Sequence, residues 1–213
     1  MKSFQAILFD LEGTIIDTET IWDECGKEFL RRHDRVYDRA LTKHLLLGRT
    51  LPEGAAIMQK QYNFDGDPQV LGAERRTIFQ ELIEDEVKFM PGFTDFFARI
   101  KPSYPVAIAT SLEHAFIKAI DHKLHLADLF GEHIYSIDDV GHIGKPSPDI
   151  FLYAAKKLST DPEVCLVIED APNGVEAAHR AGMKVVALTA TLSADHLKDA
   201  DQIVDHFSEI TLV

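Results

Sequence analysis

The stretch Ala6-Ile7-Leu8-Phe9-Asp10-Leu11-Glu12-Gly13-Thr14 decides how this chain is read. Four apolar residues run straight into two acids spaced two apart, then Gly and Thr. A continuous apolar run of this length suits a strand buried on both faces of a parallel sheet. In a strand, residues i and i+2 share a face, so Asp10 and Glu12 can both point to one place at the strand's end. Such a pair can hold a divalent cation. One member can attack phosphorus as a nucleophile, while the other moves protons. Read alone, the pair equally fits a polar strand end that caps a turn.

Working outward, five more apolar runs read as strands: Val106–Ala109, His133–Ser136, Cys165–Ile168, Val185–Leu188 and Gln202–Val204. Helical patterns alternate with them. Asp149–Leu158 carries Ile150, Tyr153, Ala154 and Leu158 on one stripe, and the Ala-rich Gly174–Ala181 stops at Gly182, a suitable residue just beyond a helix end. Alternating strands and helices predict an α/β fold: a Rossmann-like parallel sheet core with helices on both faces and right-handed crossovers. Residues 17–88 interrupt that rhythm. They show helical patterns over Thr20–Arg32, Tyr37–Leu46, Pro52–Gln61 and Val70–Glu84, and end near the turn signal Met90-Pro91-Gly92. The expected organisation is a catalytic core of 1–16 and 89–213 with an inserted α-helical cap of 17–88.

Four polar segments follow predicted strands, where open α/β sheets bind ligands. Asp10 and Glu12 form the first. Thr110-Ser111 forms the second, and offers a hydroxyl and backbone N–H groups to phosphate; Ser111 also reads as a helix N-cap before Leu112-Glu113-His114. The third is Gly144-Lys145-Pro146-Ser147-Pro148-Asp149, a stiff loop that mounts Lys145 to neutralise phosphate charge. The fourth is Glu169-Asp170, two acids suited to a hard cation such as Mg²⁺, with simple N-capping by Asp170 as the plainer reading.

The bulk numbers narrow the class. The chain has 213 residues, 46% apolar and 27% charged, and a net charge of −13. That profile fits a globular enzyme, and the negative charge argues against a nucleic-acid partner. Two cysteines imply no disulfide framework, and no apolar run approaches a membrane span. The start of the chain lacks the apolar core of a signal peptide. A cytoplasmic monomer that acts on a small-molecule phosphate ester, with no membrane partner, is the expectation. The ten histidines show no metal-ligand spacing.

Four segments in this order, FDLEGT at 9–14, ATS at 109–111, GKPSPDIF at 144–151 and IEDAPNGVEAAHRAGM at 168–183, resemble the haloacid dehalogenase superfamily. The insert after the first segment looks like the helical cap of the subgroup that holds β-phosphoglucomutase and small-molecule phosphatases. The resemblance implies Asp10 as nucleophile and Mg²⁺ ligand. It implies Glu12 as a backbone ligand at the acid/base position, and Thr110 and Ser111 at the phosphoryl group. Lys145 would offset charge there. Asp170 would bind Mg²⁺, with Glu169 a ligand or the neighbour of one. It also implies a cap that closes over the site and excludes bulk water, with specificity around Trp22, Gly48, Arg49 and Thr50.

Two departures carry meaning. The family places Asp where this chain has Glu12, and the extra methylene shifts the carboxyl by ~1 Å, a displacement that can cost ~100-fold in rate. The mutases carry a cap histidine where Trp22 stands, and an arginine near Leu51 where this chain has Arg49 beside Gly48. Hydrolysis by a Mg²⁺-dependent phosphatase is therefore expected over a phosphosugar mutase. A low-turnover binding or regulatory protein is a third reading, raised by Glu12 alone.

Overall fold

Each residue of Ala6–Phe9 is fully buried in the computed structural model, which describes residues 4–46 and 51–212. This strand, β1, is the centre of a six-stranded sheet. The others are β2 (Val106–Ala109), β3 (Ile134–Tyr135), β4 (Cys165–Glu169), β5 (Lys184–Leu188) and β6 (Gln202–Val204), in the order β3-β2-β1-β4-β5-β6. All neighbours are parallel, as the α/β reading expects. Phe9 pairs with Ile108 on one side and Ile168 on the other. The chain extends the sheet to β2 and β3 and then returns to the opposite flank of β1 with β4. That reversal opens a crevice beyond the strands' C-terminal ends, beside the end of β1.

The helices are α1 (Glu19–Arg32), α2 (Arg39–Leu46), α3 (Leu51–Tyr62), α4 (Pro68–Glu86), α5 (Phe93–Ile100), α6 (His114–Leu124), α7 (Leu126–Phe130), α8 (Asp149–Lys157) and α9 (Pro172–Arg180). The chain divides into two compact units, Met1–Asp17 with Lys88–Val213 and Thr18–Val87.

In the sheet unit, strand alternation sorts the core into two layers. Ala6, Leu8, Cys165, Val167 and Val185 pack with Ile150, Phe151 and Ala154 of α8 and Val175 and Ala178 of α9. On the other face Phe9 meets Phe93 and Phe96 of α5 and Phe130 of α7 edge-on, at 5.9, 6.3 and 6.0 Å between ring centres. That geometry suits aromatic quadrupoles. The two chain crossings of this unit lie side by side: Ile16 bridges Phe89, Asp17 N–H donates to Lys88 O, and Met90 N–H donates to Ile15 O.

The helical unit packs Ile21, Cys25 and Phe29 of α1, Ala55 and Met58 of α3 and Ile78 and Phe79 of α4 as buried residues. Trp22 stacks on Phe79 with ring centres 3.9 Å apart. α4 begins at Pro68, two residues before the helical pattern predicts. Asp67 caps it through a 2.8 Å bond from Gln69 N–H, and Pro68 fills the first turn, where its missing donor costs nothing.

The strand expected over His133–Ser136 shrinks to Ile134–Tyr135. Ser136 leaves the ladder to cap a 3₁₀ turn, accepting from Asp138 N–H while Asp139 accepts from Ser136 N–H. No helix of the described residues is long and apolar enough to cross a membrane.

Candidate active site

Strand parity builds the site. Asp10 continues the row Ala6–Leu8, and Glu169 continues the row Cys165–Val167, so both acids emerge on the face covered by α8 and α9. The register that pairs Phe9 with Ile168 sets Asp10 level with Glu169, and Asp10 N–H donates to Ile168 O at 2.9 Å. The loop before α8 delivers a cation between them. Lys145, followed by a cis bond to Pro146, places Nζ 2.5 Å from Asp10 Oδ1 and 2.8 Å from Glu169 Oε1. The ammonium also sits 4.7 Å from the centre of the Phe151 ring. Its side chain is 3% exposed.

Glu169 is fully engaged. Oε1 accepts from Lys145, and Oε2 accepts from Asp170 N–H at 2.7 Å and Ala171 N–H at 2.8 Å. A Cβ at Gly174 would overlap this carboxylate, so the glycine in α9 is the space into which Glu169 fits. Asp170 is held elsewhere. Thr14 Oγ1 donates to its Oδ1 at 3.5 Å, and the Thr191 hydroxyl lies nearby, beside Gly13. Gly13, at φ +71°, leaves the room: a Cβ there would overlap Asp170 Oδ2. Asp170 does not cap α9, whose N-cap is Ala171 with no side-chain bond.

Thr110 is buried at the end of β2. Its backbone N–H donates to Tyr135 O, and its hydroxyl oxygen accepts from Leu112 N–H at 3.1 Å. A hydroxyl that accepts retains its own proton to donate. Ser111 is exposed and is not the N-cap of α6. That helix starts at His114, whose N–H is received by Asp138. Glu12 lies close enough to Asp10 to raise its pKa. Trp22 belongs to the helical unit, and Gly48, Arg49 and Thr50 lie outside the described residues.

The electrostatics show what the site lacks. Burial pushes the Asp10 carboxyl up to about 7; Lys145 pulls it down, and Glu169 and Glu12 push it up. Burial, then Glu169 and Asp10, raises Asp170 well above the usual carboxylate range. For Lys145 burial opposes the charge, but Asp10 and Glu169 outweigh it and raise its pKa. Three buried carboxylates thus share one ammonium, and a further cation would balance them. Among the described residues, no three His, Cys, Asp or Glu side chains converge to hold an ion by themselves. Mg²⁺ does not require that, since it keeps several waters and binds through one or two carboxylates. Asp10 and Asp170 fit that donor set. Lys145 and two backbone N–H groups hold the Glu169 carboxylate, which makes it a clamp on its neighbours.

Sequence motifs pointed to Asp10, Thr110, Lys145, Glu169 and Asp170, and the structure gathers them in one unit. Thr14, Gly174 and Thr191 were missed. Gly174 carried a readable signal, because glycine inside a helix costs ~1 kcal/mol and calls for a reason. Thr191 carried none.

A family model described as haloacid dehalogenase-like hydrolase matches residues 4–182. The bifunctional riboflavin kinase/FMN phosphatase of Arabidopsis thaliana is 33% identical over 99% of this chain; the chain spans 55% of that relative's length. Fructose-1-phosphate phosphatase of Escherichia coli is 31% identical, over 87% of this chain and 96% of its own. Among solved structures, a hydrolase of the same family from Deinococcus radiodurans, with bound phosphate and sodium, superposes with a TM-score of 0.83 at 26% identity. That match covers 97% of this chain and 93% of the other. With strand order, site geometry and family model in agreement, the chain belongs to the haloacid dehalogenase-like hydrolases.

Proposed function

We infer that this phosphoric monoester hydrolase acts on a small phosphorylated metabolite, a sugar phosphate or nucleoside monophosphate, with Asp10 as nucleophile and Mg²⁺ as cofactor. The observation that carries the reading is the Asp10–Lys145–Glu169 chain, closed at 2.5 and 2.8 Å where the sheet reverses direction. It fixes a carboxylate at a strand end and places a buried ammonium beside it, as in-line attack on a phosphate ester requires. Relatives that cleave FMN and fructose 1-phosphate support the substrate class, as does the related structure that holds phosphate.

The Asp10 carboxylate attacks phosphorus, forming an aspartyl phosphate as the ester P–O bond breaks. Glu12 gives its proton to the leaving alkoxide. Lys145 faces the charge that gathers on the phosphoryl oxygens, and the Thr110 hydroxyl proton is directed to one of them. Glu12 then removes a proton from water, which attacks phosphorus and releases inorganic phosphate and the Asp10 carboxylate. A divalent cation held by Asp10 and Asp170, with the Glu12 carbonyl, supplies charge neutralisation for the phosphoryl group when bound. The helical unit is proposed as the cap that selects the substrate. Its Trp22 is stacked on Phe79 and offers no proton-transfer group, which favours hydrolysis over a mutase.

The test is phosphate release from a panel of phosphorylated metabolites, with and without chelator, beside an assay for interconversion of sugar phosphates. Chelator-sensitive release without interconversion is expected. Interconversion without release would assign a mutase. Binding of Mg²⁺ and ligand with neither activity would assign a binding protein.

A further inference from the structure

The β2–β3 ladder ends where Thr110 N–H donates to Tyr135 O at 3.0 Å, and side chains carry it further. Ser136 Oγ donates to Leu112 O at 2.7 Å, and Asp138 Oδ2 accepts from His114 N–H at 2.8 Å. The turn of residues 110–114 is thus tied to residues 135–138 at three successive points. Ser136 is fully buried, and its hydroxyl is used twice, since it also accepts from Asp138 N–H at 3.1 Å. Its own N–H donates to Asp139 Oδ2 at 2.8 Å. Leu112 is consequently held on both sides of its Cα. Its C=O accepts from Ser136, and its N–H donates to Thr110 Oγ1 at 3.1 Å.

We propose that Ser136 is a positioning residue for phosphoryl transfer: by fixing Leu112 it fixes the direction in which the buried Thr110 hydroxyl presents its proton. The proposal rests on the reading of Thr110 as a group that contacts the phosphoryl oxygens. Threonine is stiff at χ1, and a local bond from the N–H two residues on selects its rotamer. That bond lasts only while Leu112 N–H points back at Thr110. Ser136 holds the other side of Leu112 and stops the turn from rotating away. The bond from His114 to Asp138 is exposed, so water can replace it, whereas the bond from Ser136 to Leu112 is buried and has no such substitute. A site keeps its geometry to within ~0.5 Å only when neighbouring groups lock its rotamers in this way. Alanine at 136 would leave both Leu112 O and Asp138 N–H without this partner.

The experiment is a double-mutant cycle on the whole chain: the parent, Ser136→Ala, Thr110→Val and the double variant. Each is assayed for hydrolysis of p-nitrophenyl phosphate in MgCl₂ and titrated calorimetrically with inorganic phosphate. Ser136→Ala should lower kcat/KM by about 10- to 100-fold in the parent and cost little further once Thr110 is valine. Phosphate affinity should follow the same pattern. A residue that only holds the fold would cost the same in both backgrounds. If Ser136→Ala does not fold, Ser136→Cys takes its place in the cycle, because a thiol is only a weak donor. Parent-like kcat/KM and phosphate affinity in Ser136→Ala, beside an impaired Thr110→Val, would overturn the proposal. So would an equal loss from Ser136→Ala in both backgrounds. Parent-like behaviour of Thr110→Val would overturn the reading of Thr110 and this proposal with it. A parent that neither hydrolyses p-nitrophenyl phosphate nor binds inorganic phosphate would overturn the phosphatase reading as well.

Discussion

Gly174→Ala sets two magnitudes against each other. Alanine is favoured over glycine in a helix by ~1 kcal/mol, so local propensity alone predicts a more stable protein. The added Cβ, however, would fall on the carboxylate of Glu169. That carboxylate receives Lys145 Nζ at 2.8 Å, Asp170 N–H at 2.7 Å and Ala171 N–H at 2.8 Å, and its side chain is 2% exposed. Hydrogen bonds to a charged group contribute ~1.5–3 kcal/mol each. Losing two of the three costs ~3–6 kcal/mol, which leaves a net loss of about 3 kcal/mol after the helix gain. Glu169 also steadies the ammonium that faces Asp10, and a misplacement of ~1 Å there costs about 100-fold in kcat/KM. Urea unfolding followed by circular dichroism gives the first quantity, and phosphate release gives the second. A Gly174→Ala protein as stable as its parent, with full turnover, would refute the clamp assigned to Glu169.

Glu12→Asp shortens the acid/base side chain by one methylene, and should raise kcat by up to ~100-fold if Glu12 reaches its proton imperfectly; steady-state kinetics decide, and an unchanged or lower kcat would show that Glu suits this site. Burial opposes the Asp201 charge, but Lys184 at 2.5 Å and the Val185 N–H and His179 at 3.0 Å outweigh it and lower its pKa. Because the folded pKa is depressed, this stabilisation is present above the unfolded carboxyl pKa of ~3.9 and is lost as pH falls below it. Asp201→Asn should thus cost about 1 kcal/mol at neutral pH, and the difference in urea midpoint from the parent should close below pH ~4; a gap that widens in acid would refute the assignment. In the helical unit Arg75 is 5% exposed, lies 5.8 Å from the Trp22 ring and 5.9 Å from Phe29, and its Nε has no hydrogen-bond partner among the described residues. Arg75→Met should be neutral or stabilise by ~1 kcal/mol or more, and a clear drop in melting temperature would show that the guanidinium is held favourably.

The parallel sheet was legible because strands buried on both faces leave unbroken apolar runs. All six lie within two residues of those runs. Ser136 is a miss with a cause, since its hydroxyl and backbone serve a cap better than a ladder. α5 was not read, although Phe93, Phe96, Phe97 and Ile100 stand at helical spacing and are buried. Its eight residues make only about two turns, too short for the periodicity to stand out behind the turn signal Met90-Pro91-Gly92. In the site, Asp10 and Glu169 could be read because strand parity and sheet order are local properties. Thr191 could not, because its place depends on how the chain after β5 folds back to β4. Gly13 and Gly174 stand between. Each glycine was visible, but the carboxylate it makes room for was not.

The central claim is that phosphorus passes through Asp10. The most direct measurement quenches the enzyme with acid during turnover, reduces acyl phosphates with borohydride, and maps the modified residue by peptide mass. The account predicts conversion of Asp10 to homoserine, only when substrate is present and absent from Asp10→Asn. Rapid turnover with no acyl phosphate on Asp10, or full turnover by Asp10→Asn, would contradict it.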